Sequence, residues 1–127
     1  MKKLIYTDKA PKPIGPYSQG VHYTEFNGLF FTSGQIALNG EGNIVSDDIR
    51  EQTKTVCENL NHILAEHGSS LDNAIKTTVY MKDITEFPAM NEIYGRYFGV
   101  SLPARSTVEV ARLPKDAKVM IDVIAHK

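Results

Sequence analysis

Short runs of alternating apolar and polar residues dominate this 127-residue chain, and two longer runs repeat at helical spacing instead. Residues 3–7 read as a first strand. It is ended by 10–16, where Pro11, Pro13 and Pro16 remove backbone donors and fix the chain in a turn. Runs 19–25 and 29–34 are rich in β-formers and flank Asn27-Gly28, a hairpin signal. The second run closes on Thr32-Ser33-Gly34-Gln35, small and polar where a strand hands over to a loop. Asn39-Gly40 and Glu41-Gly42-Asn43 mark a looping connection.

The first helical pattern places Ile49, Thr53, Val56, Cys57, Leu60, Ile63, Leu64 and His67 on one face. Asp48 and Glu51 predict a capping box at its start, and Gly68 a stop. Cys57 falls in the apolar stripe and reads as a buried structural thiol. Residues 73–82 alternate Ile75, Thr77, Val79 and Met81 against Lys76, Thr78, Tyr80 and Lys82, a strand. A second helix is predicted over 86–98, with Thr85 as cap, Pro88 in its first turn and Gly99 beyond its end. Its inner face carries Phe87, Met90, Tyr94 and Phe98, with Asn91 among them.

The segment 103–114 is a strand that sorts Ser106, Val108 and Val110 from Arg105, Thr107 and Glu109. The apolar set is expected to pack on the helices, leaving Arg105 to look out through the far side of the sheet. A last strand, 118–125, separates Val119, Ile121, Val123 and Ala125 from Lys118, Met120, Asp122 and Ile124. The order βββαβαββ predicts one α+β domain over 1–127. It is a two-layer sandwich with a six-stranded mixed sheet and two helices on one face. Val21, Tyr23, Tyr80, Met120 and Ile124 make the other face too apolar to stay exposed, which predicts a closed homo-oligomer of unspecified number.

Composition narrows the chemistry. A net charge of −1 gives no basic face for nucleic acid. The single cysteine permits no internal disulfide and suits a reducing compartment. The opening residues meet Asp8 and Lys9 rather than an apolar run, and no stretch is apolar for long enough to cross a bilayer. A cytoplasmic protein without membrane or nucleic-acid partners is the expectation. The four histidines lack metal-ligand spacing, and no phosphate loop or nucleophile elbow is present. Arg105 then serves either a surface ion pair or, as a rigid two-pronged donor on a strand, a small carboxylate ligand. Asn91, set among apolar neighbours on its helix, reads as a buried amide satisfying nearby backbone.

Gly15-Pro16 followed by Tyr17-Ser18-Gln19-Gly20, the run Thr32-Ser33-Gly34-Gln35, and 103–116 together resemble the reactive-intermediate deaminase (RidA or YjgF-type) family. The resemblance implies a chorismate-mutase-like fold, a homotrimer with clefts between subunits, and no cofactor or metal. It implies hydrolysis of 2-iminobutanoate and 2-iminopropanoate, released by pyridoxal-phosphate-dependent dehydratases, to 2-keto acids and ammonia. Carried over by position, Arg105 holds the substrate carboxylate, and Thr107 contributes through its backbone. Gly34 offers a backbone N–H, Ser33 and Tyr17 line the cleft, and Asn91 is a helix-borne amide near the site.

Met120 departs from the family pattern, which has a glutamate there to hold the attacking water. A thioether is at best a weak acceptor. Asp122 shares its strand face but lies about 6–7 Å along the strand. The alternative to a deaminase is therefore a non-catalytic trimer that binds small carboxylic or 2-keto acids, or a regulatory trimer.

Overall fold

The computed structural model describes residues 1–25 and 27–127. Six strands and two long helices form in the predicted order: β1 (Lys2–Ile5), β2 (Gly20–Tyr23), β3 (Leu29–Phe31), α1 (Ile49–Ala65), β4 (Ala74–Met81), α2 (Phe87–Phe98), β5 (Ala104–Glu109) and β6 (Val119–His126). Hydrogen bonding divides the strands into a four-stranded sheet, β3-β6-β4-β5, and a two-stranded hairpin, β1-β2. In the larger sheet β4 and β5 run parallel, with α2 on the crossover between them, and the other pairs are antiparallel.

The single six-stranded sheet expected from the sequence is thus interrupted. The hairpin meets β5 at one parallel bridge, Ser18 to Ala104, where the Ser18 N–H donates to the Pro103 carbonyl at 3.2 Å. Pro16 and Pro103 flank that bridge and have no N–H with which to extend it into a ladder. Lys2 secures the hairpin from its other end, its ammonium donating to the carbonyls of Ala74 and Ser101.

The Asn27-Gly28 signal predicts that β2 pairs with β3, and this pairing does not form. The structure pairs β2 with β1 and β3 with β6. Phe26, just ahead of the predicted turn at Asn27-Gly28, lies outside the described residues. Gly28 does adopt a positive φ of 114°, but its carbonyl accepts from Lys127 N–H at the end of β6. The local turn chemistry was legible; the choice of partner strand is a long-range matter that it does not encode.

Helix α1 buries Ile49, Gln52, Thr53, Val56, Cys57, Leu60 and Leu64 against the sheet and α2. Ile63 and His67, expected on this face, are exposed, and His67 lies beyond the end of the helix at Ala65. Asp48 caps the helix by accepting from Arg50 N–H at 3.2 Å. The reciprocal half of the capping box is replaced: Asp48 N–H donates to Ser46 Oγ rather than to Glu51. Ahead of α2, the predicted cap Thr85 is itself capped, its N–H and hydroxyl both donating to Asp83. The Cys57 thiol is fully buried, and burial pushes its pKa up, which keeps it protonated and inert.

Leu60→Ala should cost about 2–5 kcal/mol of stability in urea unfolding, whereas Ile63→Ala should stay within about 0.5 kcal/mol. Equal losses at the two positions would contradict the placement of the buried stripe.

Candidate functional site

Strand β5 is an edge strand, and its register sets the site. Thr77 pairs with Arg105 and Val79 with Thr107, so both β5 residues share a sheet face with the buried side of β4. That is the face covered by α2. The expectation that Arg105 looks out of the far side is therefore overturned: Ser106 and Val108 point there and are exposed. Alternation tells which residues share a face, but not which face meets the helices. Here the far face is itself apolar enough to have misled the choice.

Arg105 is half-buried in a cage of rings. Its guanidinium carbon lies 4.7 Å from the ring centre of Tyr94, 5.1 Å from Tyr17 and 5.3 Å from Phe87. Nη1 donates to Asn91 Oδ1 at 2.7 Å, so the Asn91 carbonyl partners the arginine side chain rather than nearby backbone. Among the described residues no carboxylate forms a salt bridge with Arg105; the four ion pairs present all lie elsewhere. Burial draws the guanidinium down from its ordinary value, yet such a group stays charged in a protein. The surface ion-pair reading is excluded by this geometry. What remains is a fixed positive charge without its own anion.

Around it lies a cleft of about 250 Å³ lined by Ile14, Tyr17, Phe87, Arg105 and Thr107. Thr107 Oγ1 is buried there without a hydrogen-bond partner among the described residues. A larger groove of about 350 Å³ lies between α1 and α2, lined in part by Arg50, Lys54 and Arg96. It is the weaker candidate, because Arg50 and Arg96 are both already bonded to Glu92.

The wall carrying Ile14 and Tyr17 comes from the proline-rich loop, which has few donors with which to order itself. Gln19 supplies them. Its Nε2 donates to the carbonyls of Thr7, Ala10 and Pro11, and its Oε1 accepts from Thr7 N–H at 2.7 Å. Tyr17 Oη in turn accepts from Ile14 N–H at 3.3 Å. Gly15 lies over the arginine so closely that a Cβ there would stand 3.4 Å from Nη2.

The remaining predicted positions lie apart. Met120 pairs across the sheet with Tyr80, on the face opposite Arg105 and Thr107. Ser33 and Gly34 are exposed beside it, and a Cβ on Gly34 would meet the Met120 sulfur at 2.8 Å. Within the chain, then, Tyr17, Asn91, Arg105 and Thr107 come together, and Ser33, Gly34 and Met120 form a second cluster behind the sheet. Sequence reasoning missed the ring cage of Phe87 and Tyr94, which it assigned only to helix packing. It also missed Gln19 as the brace of the loop.

Tyr94 links cage and core, its phenol sharing a 2.8 Å hydrogen bond with Thr77 Oγ1. Burial, opposed by that bond and by the Arg105 charge, pushes the phenol up to about 12 from 10.0. A raised folded-state value favours the neutral form, so its contribution is complete below pH 10.0 and is lost as pH rises through about 12. Tyr94→Phe should therefore flatten the alkaline fall of stability in that window, read by urea unfolding at successive pH values. An unchanged slope would place the ionising group elsewhere.

Comparison with known proteins covers nearly the whole chain. The family model described as Endoribonuclease L-PSP matches residues 7–127. A RutC family protein of Pyrococcus abyssi is 53% identical over 127 residues, spanning 99% of this chain and 98% of the relative. The chloroplastic Reactive Intermediate Deaminase A of Arabidopsis thaliana is 42% identical over 125 residues, 98% of this chain and 65% of that protein. The crystal structure of Escherichia coli TdcF with bound serine superposes with a TM-score of 0.74 at 39% identity, covering 98% of each chain.

Proposed function

The chain belongs to the Endoribonuclease L-PSP family, also known as the RidA/YjgF family, and from that premise we propose that it hydrolyses small 2-imino acids to 2-keto acids and ammonia. The carrying observation is the caged Arg105 guanidinium, which has an amide partner and no carboxylate of its own among the described residues. A substrate carboxylate completes it through charge-assisted hydrogen bonds. The Thr107 side chain lines the same cleft. Two relatives support the reading: one is named a reactive intermediate deaminase, and another was crystallised with serine, a small molecule bearing a carboxylate on the carbon next to nitrogen. The family description mentions ribonuclease, but a net charge of −1 argues for a small anion over a polyanion.

The geometry within one protomer leaves the arginine cleft and the Ser33–Gly34–Met120 cluster on opposite faces of the sheet. A closed homotrimer, with each cleft walled by the back of a neighbouring sheet, joins the two halves. Phe31, 70% exposed, and Val108, 43% exposed, are apolar residues that such packing would cover. Arg105 and the cage orient the acid, and water attacks the imine carbon from the opposing wall.

A second reading has a specific observation behind it. Met120 lies against Gly34 with no acid–base capacity, which favours a trimer that binds 2-keto acids without turning over imines.

One experiment separates the readings. A pyridoxal-phosphate-dependent threonine dehydratase generates the imine, its disappearance is followed with and without this protein, and 2-ketobutyrate binding is measured by calorimetry. Acceleration that vanishes in Arg105→Ala supports the deaminase. Binding without acceleration supports the keto-acid binder. Arg105→Ala should weaken 2-ketobutyrate by about 1.5–3 kcal/mol per charge-assisted bond lost. An unaltered affinity would contradict both readings.

A further inference from the structure

The cluster behind the sheet holds a carboxylate that the chemistry above does not use. Thr32 N–H donates to the Val123 carbonyl at 2.9 Å, and Gln35 and Ile121 exchange bonds of 2.9 and 3.1 Å. Ser33 and Gly34 together therefore stand across from Asp122 alone. This is a β-bulge, which bends a strand and re-aims the groups it carries. Asp122 also pairs with Thr78, one step from the Tyr80–Met120 pair, so Tyr80 and Asp122 are diagonal neighbours on the same face.

Measured along β6, Asp122 is two residues from Met120. Across the sheet it adjoins Gly34, the residue that Met120 covers. Among the described residues of β3 to β6, the other strand carboxylate is Glu109, which is turned to the helix side and accepts from Ile84 N–H. The charged neighbours are otherwise engaged. Lys76 donates to Ser106 Oγ at 3.1 Å, Lys118 lies 3.4 Å from Glu86, and His126 stacks on Tyr23. The Asp122 charge, with burial adding to it, holds the Tyr80 phenol above its ordinary value, so the phenol keeps its proton.

We infer that Asp122, with the Tyr80 phenol beside it, accepts the proton of the water that attacks the imine carbon. The inference rests on the deaminase reading and on a neighbouring protomer that brings this face to Arg105. As the water oxygen bonds to the iminium carbon, one water proton passes to the Asp122 carboxylate, leaving a neutral carbinolamine. The protonated Asp122 then returns that proton to the amino nitrogen. The C–N bond breaks as the oxygen lone pair forms the carbonyl, and the hydroxyl proton leaves with ammonia. Iminium and water become keto acid and ammonium, and Asp122 ends as it began. A thioether at position 120 has no basicity for either transfer.

The test uses the full chain in the dehydratase assay. Asp122→Asn should lower kcat by about 10²-fold or more while leaving 2-ketobutyrate affinity unchanged. Tyr80→Phe should lower kcat by less, again at unchanged affinity, and serves if the first variant does not fold. Arg105→Ala and Asp122→Asn chains, unfolded together and co-refolded in equal amounts, should recover about one quarter of wild-type rate, since random mixing leaves that share of clefts with both native residues.

Asp122→Asn and Tyr80→Phe at wild-type rate, with Arg105→Ala dead, would overturn this inference and leave the deaminase reading standing. Failure of the mixture to recover would overturn the assignment of Asp122 to a cleft shared between protomers. A wild-type protein that leaves the imine untouched would overturn both.

Discussion

A guanidinium withdrawn from water and given no counter-charge is a costly thing for a small domain to keep. This chain keeps one, and much of the surrounding structure serves to hold it in place. Parallel pairing of β5 with β4 puts Arg105 on the face under α2. That helix then delivers Phe87, Asn91 and Tyr94 within one and two turns of each other, so two rings and an amide reach the same cation. Tyr94 is anchored in turn by Thr77, the β4 residue directly across from Arg105. From the other side the loop braced by Gln19 brings Tyr17 and Gly15 against the guanidinium. Ring faces stabilise a cation without neutralising it, so the charge stays available to an incoming anion.

The second constraint is the division of the remaining site positions by the sheet itself. Residues that alternate along a strand cannot meet on one face, and β5 and β6 obey this strictly: Arg105 and Thr107 lie with the helices, Met120 and Asp122 behind. The chain thus carries two separate clusters, which on the proposed reading are halves of a site completed by a second copy. The apolar residues exposed on the rear face, among them Phe31 and Val108, give the physical motive for a second copy to sit there. Association and site assembly become one event on the reading proposed above.

Much of this was legible in the amino-acid sequence, and the failures have physical reasons. Strand and helix positions follow from period-2 and period-3.6 patterns, which is why the order of elements and α1 with its Asp48 cap are recovered. Periodicity is silent on which face meets the helices, and so it does not by itself place Arg105 on the helix side. The Gly28 turn is recovered but its partner strand is not, because β3 finds β6 nearly a hundred residues away. Among the expected site residues, Arg105, Asn91, Thr107 and Tyr17 come together on the helix side, whereas Ser33, Gly34 and Met120 lie behind the sheet. Spacing along one strand separates Asp122 from position 120 and says nothing of its neighbours on the adjoining strand. The bulge at Ser33–Gly34 that brings it opposite the glycine depends on hydrogen bonds that only the folded sheet reveals.

The central claim is that Arg105 is an anion clamp waiting for a small carboxylate. The most direct measurement is a crystal structure of the protein soaked with 2-ketobutyrate. The account predicts the carboxylate seated on the Arg105 guanidinium inside the Tyr17–Phe87–Tyr94 cage, with Asn91 still bonded behind it. Density for the acid elsewhere, or an Arg105 turned onto a protein carboxylate with the cleft empty, would contradict it.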